Sequence, residues 1–134
     1  MGMRQVPDDL FFTLAAMKHG GTSRMSARAV VDVPRYIEMA REFHRICAAR
    51  PFLNHCIVAR DVGARAFEIS IDQLLARSRE GDQTETRQKI MAFACVVTGA
   101  SFRQVGATFE RDHSAVSYAC DKYADYIRTA IERA

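Results

Sequence analysis

Apolar positions recur along this chain at spacings of three and four residues, and that period predicts helices from end to end. Residues 34–50 open on Pro34, carry Tyr36, Ile37, Ala40, Phe43, Ile46 and Cys47 on one stripe, and stop at Pro51. A second helix is predicted over 52–67, with Leu53, Ile57, Val58 and Val62 inward. Ser70 is placed to cap a short helix bearing Ile71, Leu74 and Leu75. The polar stretch 77–85 reads as a loop. The next helix is predicted over 86–98, with Ile90, Phe93, Ala94 and Val97 at helical spacing and Gly99 as its stop. Ser101 followed by Gln104 is a capping-box pattern, opening a short helix that ends near Phe109. Asp112 then caps a last helix whose buried face is Val116, Ala119, Cys120, Tyr123 and Ile127. No segment shows the alternation of a strand and no internal repeat is present, so the class is all-α, a helical bundle.

The first residues follow a different plan. Pro7-Asp8-Asp9 resembles a helix start and precedes the apolar run LFFTLAAM, after which HGGTSRM reads as a flexible linker holding Arg24, with Arg28 just beyond. The expected division is an N-terminal extension, 1–33, and a helical domain, 34–134. Leu10, Phe11, Leu14 and Met17 share a helical face, which suits a packing helix or a peptide that docks in a partner's groove. The run is too short to span a bilayer and lacks a signal-peptide layout. The expectation is a soluble cytoplasmic protein without membrane contact.

Charge changes the picture through its placement. Residues 1–51 carry eight Lys+Arg against five Asp+Glu, and residues 52–134 carry eleven against eleven. The net excess of +3 therefore lies in the first part. Cys47, Cys56, Cys95 and Cys120 have no disulfide-type spacing and are expected as reduced, buried thiols. His44, Cys47, His55 and Cys56 do not have the paired spacing of a zinc site, so no metal and no other cofactor is expected. No Ser/His/Asp or Cys/His arrangement lies in a nucleophile motif, and no G-x-x-x-x-G-K-[ST] occurs, which excludes a hydrolase of known type and P-loop nucleotide binding. The protein is read as a non-enzyme.

The chemistry concentrates at 101–118. Two helices joined by a tight turn, the second opening on Arg111, Asp112, His113 and Ser114, is the arrangement by which a helix-turn-helix reads base edges in a major groove. An aspartate accepts from a cytosine amino group, and His or Ser meets bases in several ways. A helix cap without any ligand would use the same aspartate.

The elements FEISIDQLLARSR, TRQKIMAFA, SFRQVGATF and RDHSAVSYACDKY follow in an order and spacing that resembles the C-terminal DNA-binding domain of the bacterial chromosomal replication initiator, DnaA. The resemblance is strongest over 67–128 and extends back to about residue 52, and residues 1–51 have no counterpart. It implies a recognition helix that enters the major groove of an asymmetric nine-base-pair box, bound by a monomer, with an arginine in the adjacent minor groove. Arg87 then stands at the minor-groove arginine, Asp112, His113 and Ser114 at the base-edge residues, and Ala115 where the family usually has a second Thr. Arg111, Gln104 and Lys89 become candidates for backbone contacts.

Departures from the family pattern are specific. The family's basic loop here holds Arg77 and Arg79, as phosphate contacts or as solvated loop residues, but also Glu80, Asp82 and Glu85. Thr86 replaces a proline before Arg87, and Cys95-Val96 replaces a charged pair, creating apolar surface for a partner face or for the core. The family's ATPase motif is missing, so the expectation is a stand-alone relative of the DNA-binding part, without nucleotide.

Two functions follow. The first is a nucleoid-associated, sequence-specific binder of double-stranded DNA at DnaA-box-like sites, regulating replication initiation or transcription. The second is a protein-interaction module that keeps the fold and binds the replication initiator or one of its regulators. Steep loss of DNA affinity with salt belongs to the first and not to the second.

Overall fold

The structure, a computed structural model, describes residues 32–77 and 81–133. The apolar run at 10–17, the linker with Arg24 and Arg28, and Arg79 lie outside them. Among these residues six helices follow in chain order: α1 Val33–Ala49, α2 His55–Ala66, α3 Ile71–Leu75, α4 Gly81–Thr98, α5 Phe102–Phe109 and α6 His113–Glu132. Among the described residues there is no strand, and no helix is long and apolar enough to cross a membrane. The all-α bundle containing a helix-turn-helix is as the periodicity predicts.

α4 is the hub, and α2, α3, α5 and α6 all pack against it. Ile90, Met91, Ala92, Phe93 and Ala94 are consecutive and all essentially inaccessible to solvent. A helix surrounded by neighbours has no solvent face, which is why its apolar residues crowd together in sequence. The core closes around it with Phe43 and Met39 from α1, Val62 from α2, Leu74 from α3, Val105 and Phe109 from α5, and Val116 and Ile127 from α6. α2 crosses α4 closely: a Cβ on Gly63 would fall 2.5 Å from a methyl of Ile90.

Helix starts follow cap chemistry. Ser70 and Ser101 each form a complete capping box with the glutamine three residues on. Asp112 accepts from the Ser114 amide at 3.1 Å. Gly99 takes the left-handed conformation, φ 69°, that ends α4.

Two boundaries differ from expectation. α2 begins at His55 because the Asn54 side chain accepts from the amides of Cys56 and Ile57, at 2.9 and 3.1 Å, leaving Phe52 80% exposed in the preceding turn. The polar segment read as a loop is helical from Gly81, so α4 is five residues longer at its start than its apolar period indicates. Polar composition there marks distance from the core rather than absence of helix.

The four cysteines are free thiols; Cys56 is buried and the others half-buried. Cys95 and Val96 pack against the core cluster. The thiols of Cys95 and Cys120 interact across the α4–α6 contact, which raises the Cys95 pKa and lowers that of Cys120. The rings of His44 and His55 stand edge-on to Phe43, at 5.2 and 6.0 Å between centroids. Among the described residues no three His, Cys, Asp or Glu side chains converge as metal ligands would.

Candidate nucleic-acid interface

α5 and α6 are joined by residues 110–112 alone. So short a turn requires a close approach of backbones, and Gly106 supplies it. The Arg111 amide donates to the Gly106 carbonyl at 2.8 Å, and a Cβ on Gly106 would lie 2.5 Å from the Arg111 carbonyl oxygen. Glu110 occupies the left-handed region, φ 57°, as the C-cap of α5. That conformation costs a residue with a side chain roughly 1–2 kcal/mol. Glycine escapes the cost but loses about 0.5–1 kcal/mol through its freer unfolded chain. Glu110→Gly is therefore expected to stabilise the fold by about 0.5 kcal/mol, read as a small upward shift of the urea midpoint. A lower midpoint would show that the side chain contributes more than its backbone strain costs.

The turn delivers Asp112, His113 and Ser114 to the exposed start of α6. Asp112 Oδ2 accepts from both the amide and the hydroxyl of Ser114, and Oδ1 lies 3.5 Å from His113 Nδ1. The Ser114 hydroxyl and amide hold the Asp112 carboxyl below the usual carboxylate range, so it stays an acceptor at neutral pH. Three polar side chains thus cluster on solvent at a helix N-terminus, backed by a buried Val116. Ala115 beside them is half-buried, and Gln104 is exposed but occupied as the capping partner of Ser101. Arg77, just after α3, is exposed.

Three of the candidate basic residues, Arg87, Arg111 and Lys89, are engaged within the fold. Arg87 is only 5% exposed, with Nε donating to the Leu74 carbonyl at 2.8 Å and Nη2 to the Ala76 carbonyl at 3.1 Å. Arg111 reaches the same place from the other side, with Nη1 on the Leu75 carbonyl at 3.3 Å and Nη2 on the Ala76 carbonyl at 2.5 Å. These carbonyls are the orphans that end α3, where the helix dipole is negative. Burial lowers the pKa of both guanidiniums, and the repulsion among Arg77, Arg87 and Arg111 adds to it. A groove contact by Arg87 would require it to leave these carbonyls. Lys89 is 7% exposed, with its ammonium 5.8 Å from the Phe67 ring and 5.9 Å from the Tyr123 ring. Burial between aromatic rings keeps it from the surface that a phosphate contact needs.

Other residues build this surface without having been singled out by sequence. Arg60 donates to the Thr108 carbonyl at 3.1 Å and so ties the end of α5 to α2, 48 residues away. Phe102 and Tyr118 are 42% and 57% exposed at the starts of α5 and α6, and Arg103 is exposed beside Phe102. Gly106 had a local signal, since a glycine inside a helical pattern usually has a packing reason. Nothing local marks Arg60.

Comparison with known proteins bears on this geometry. Residues 60–122 match the family model described as bacterial dnaA protein helix-turn-helix. The chain is 32% identical over 69 residues to the chromosomal replication initiator protein DnaA of Desulfotalea psychrophila (strain LSv54 / DSM 12343), over 52% of this chain. That stretch is 14% of the relative's length, so the chain spans only a small part of the initiator. No solved structure matches the chain. The match covers α3, α4, the α5–α6 turn and the start of α6, together with most of α2. Within this chain, residues 60–122 carry a helix-turn-helix similar to that of the C-terminal domain of DnaA.

Proposed function

We propose that this protein binds double-stranded DNA by placing the start of α6 in the major groove, and that it recognises DnaA-box-like sites. The observation that carries this reading is the exposed Asp112–His113–Ser114 cluster at a helix N-terminus, fixed by a three-residue turn against α5. The cluster offers an acceptor, an imidazole and a hydroxyl, the groups that discriminate base edges in that groove. The Ala115 methyl adds an apolar edge suited to a thymine. Gln104, Arg77, Arg79 and the exposed Arg103 supply the phosphate contacts that set register. Arg87 and Arg111 enter as positioning residues, since their guanidiniums are engaged by the end of α3. The role is to regulate replication initiation or transcription by occupying boxes that the initiator also uses, at the nucleoid and with no catalytic step.

A second reading has one observation in its favour. Residues 52–134 are charge-balanced, eleven against eleven, whereas DNA-binding modules usually carry a basic surplus. A domain of this kind could bind the replication initiator or one of its regulators instead.

Binding of the protein to a duplex with the initiator box and to a scrambled duplex, at two salt concentrations, separates the two. Box preference should appear and affinity should fall steeply with salt. His113→Ala and Ser114→Ala should each reduce the preference about tenfold, as the loss of one base contact does, while leaving affinity for the scrambled duplex nearly unchanged. A protein without box preference at low salt would sink the DNA reading and favour the partner-binding one.

A further inference from the structure

Tyr118 is the one large apolar side chain that α6 leaves exposed among the described residues, at 57%. It lies four residues beyond Ser114 and therefore on the same face of the helix, one turn further on. Six residues separate it from the cap, about 9 Å along the axis at the α-helical rise. A major groove is about 12 Å wide. A helix laid along the groove from Asp112 would bring Tyr118 to base pairs beyond those met by the cap.

The ring does not hang free. The Lys122 ammonium lies 5.7 Å from its centroid and donates to Gln88 Oε1 of α4 at 3.3 Å. Lys122 is thereby tethered to the hub helix and covers one side of the ring. That contact restricts one side of the ring before any ligand arrives, which lowers the ordering cost of a contact.

We propose that Tyr118 is a further specificity-determining residue, its ring edge packing against the C5 methyl of a thymine beyond the bases read from the start of α6. This rests on the DNA-binding reading above and adds a position to it. An apolar ring edge distinguishes thymine from the other bases because only thymine carries that methyl in the major groove. A phenol acting through its hydroxyl on a phosphate would carry no such preference.

The test uses box duplexes in which each thymine in turn is replaced by uracil, which removes only the methyl. Wild type, Tyr118→Phe and Tyr118→Ala are compared on each, with the helical circular dichroism of all three checked first. At one thymine, uracil should weaken wild-type binding about fourfold, the worth of one buried methyl group. Tyr118→Phe should behave as wild type, and Tyr118→Ala should bind weakly and be indifferent to uracil there. Three results overturn the proposal while leaving the DNA reading intact: no thymine whose effect vanishes in Tyr118→Ala, equal losses by that variant on box and scrambled duplexes, or a loss in Tyr118→Phe as large as in Tyr118→Ala. A wild-type protein without box preference overturns both.

Discussion

Gly106→Ala should lower the stability of the fold by about 2–3 kcal/mol, at the upper end of overpacking costs. The sign is opposite to the usual one, since replacing glycine by alanine inside a helix ordinarily gains about 1 kcal/mol. Here the new Cβ would lie 2.5 Å from the Arg111 carbonyl oxygen, and the atom it meets is backbone. A flexible side chain would turn aside; a carbonyl can move only with the turn that carries it. The displaced turn is the one that sets Asp112, His113 and Ser114, so discrimination between box and scrambled duplexes should fall further than the loss of folded protein explains. Urea unfolding followed by circular dichroism gives the first quantity, and binding measured well below the midpoint gives the second. An unchanged midpoint would mean that α5 and α6 lie further apart than described.

Arg87→Lys should also be costly, by about 2–3 kcal/mol, although it preserves the charge. An ammonium on a flexible stem does not reproduce a planar fork that meets two carbonyls at once. The Leu74 and Ala76 carbonyls would lose their Arg87 donors, at roughly 1–3 kcal/mol for a buried group left unsatisfied, with Arg111 still supplying one. The repulsion from Arg111 and Arg77 remains, since the charge is kept. The measurement that decides is again the unfolding midpoint. A side chain whose role is confined to a DNA groove would lower affinity and leave the midpoint alone, whereas one that holds the end of α3 lowers both. A midpoint equal to wild type, with binding lost, would return Arg87 to the groove.

These two expectations rest on contacts that sequence reasoning reaches unequally. Caps are local, so Ser70, Ser101 and Asp112 announce helix starts, and Gly99 announces a stop. The exposed polar cluster at the start of α6 is legible for the same reason: its three residues are adjacent, and a helix N-terminus needs such groups anyway. Asn54 is harder to read as a cap, because the apolar residues before it extend the helical pattern past the true start. The surroundings of Arg87 and Lys89 are the less legible part. A positive charge reads as surface, and only the surrounding helices show that one guanidinium finds carbonyls 11 and 13 residues back while one ammonium lies between Phe67 and Tyr123. The start of α4 is hard to read for a different reason: the residues that precede its core-packed stretch are polar and carry no apolar period.

The junction of α3 with the α5–α6 turn has a consequence for how the molecule opens. A five-residue helix is far too short to persist alone. Its end is held by two arginines, one from the hub and one from the turn. Neither piece can melt without releasing the other, so they belong to a single cooperative unit in the sense revealed by amide exchange. The segment that presents the polar cluster is therefore no loosely attached loop: its fluctuations are tied to those of the core.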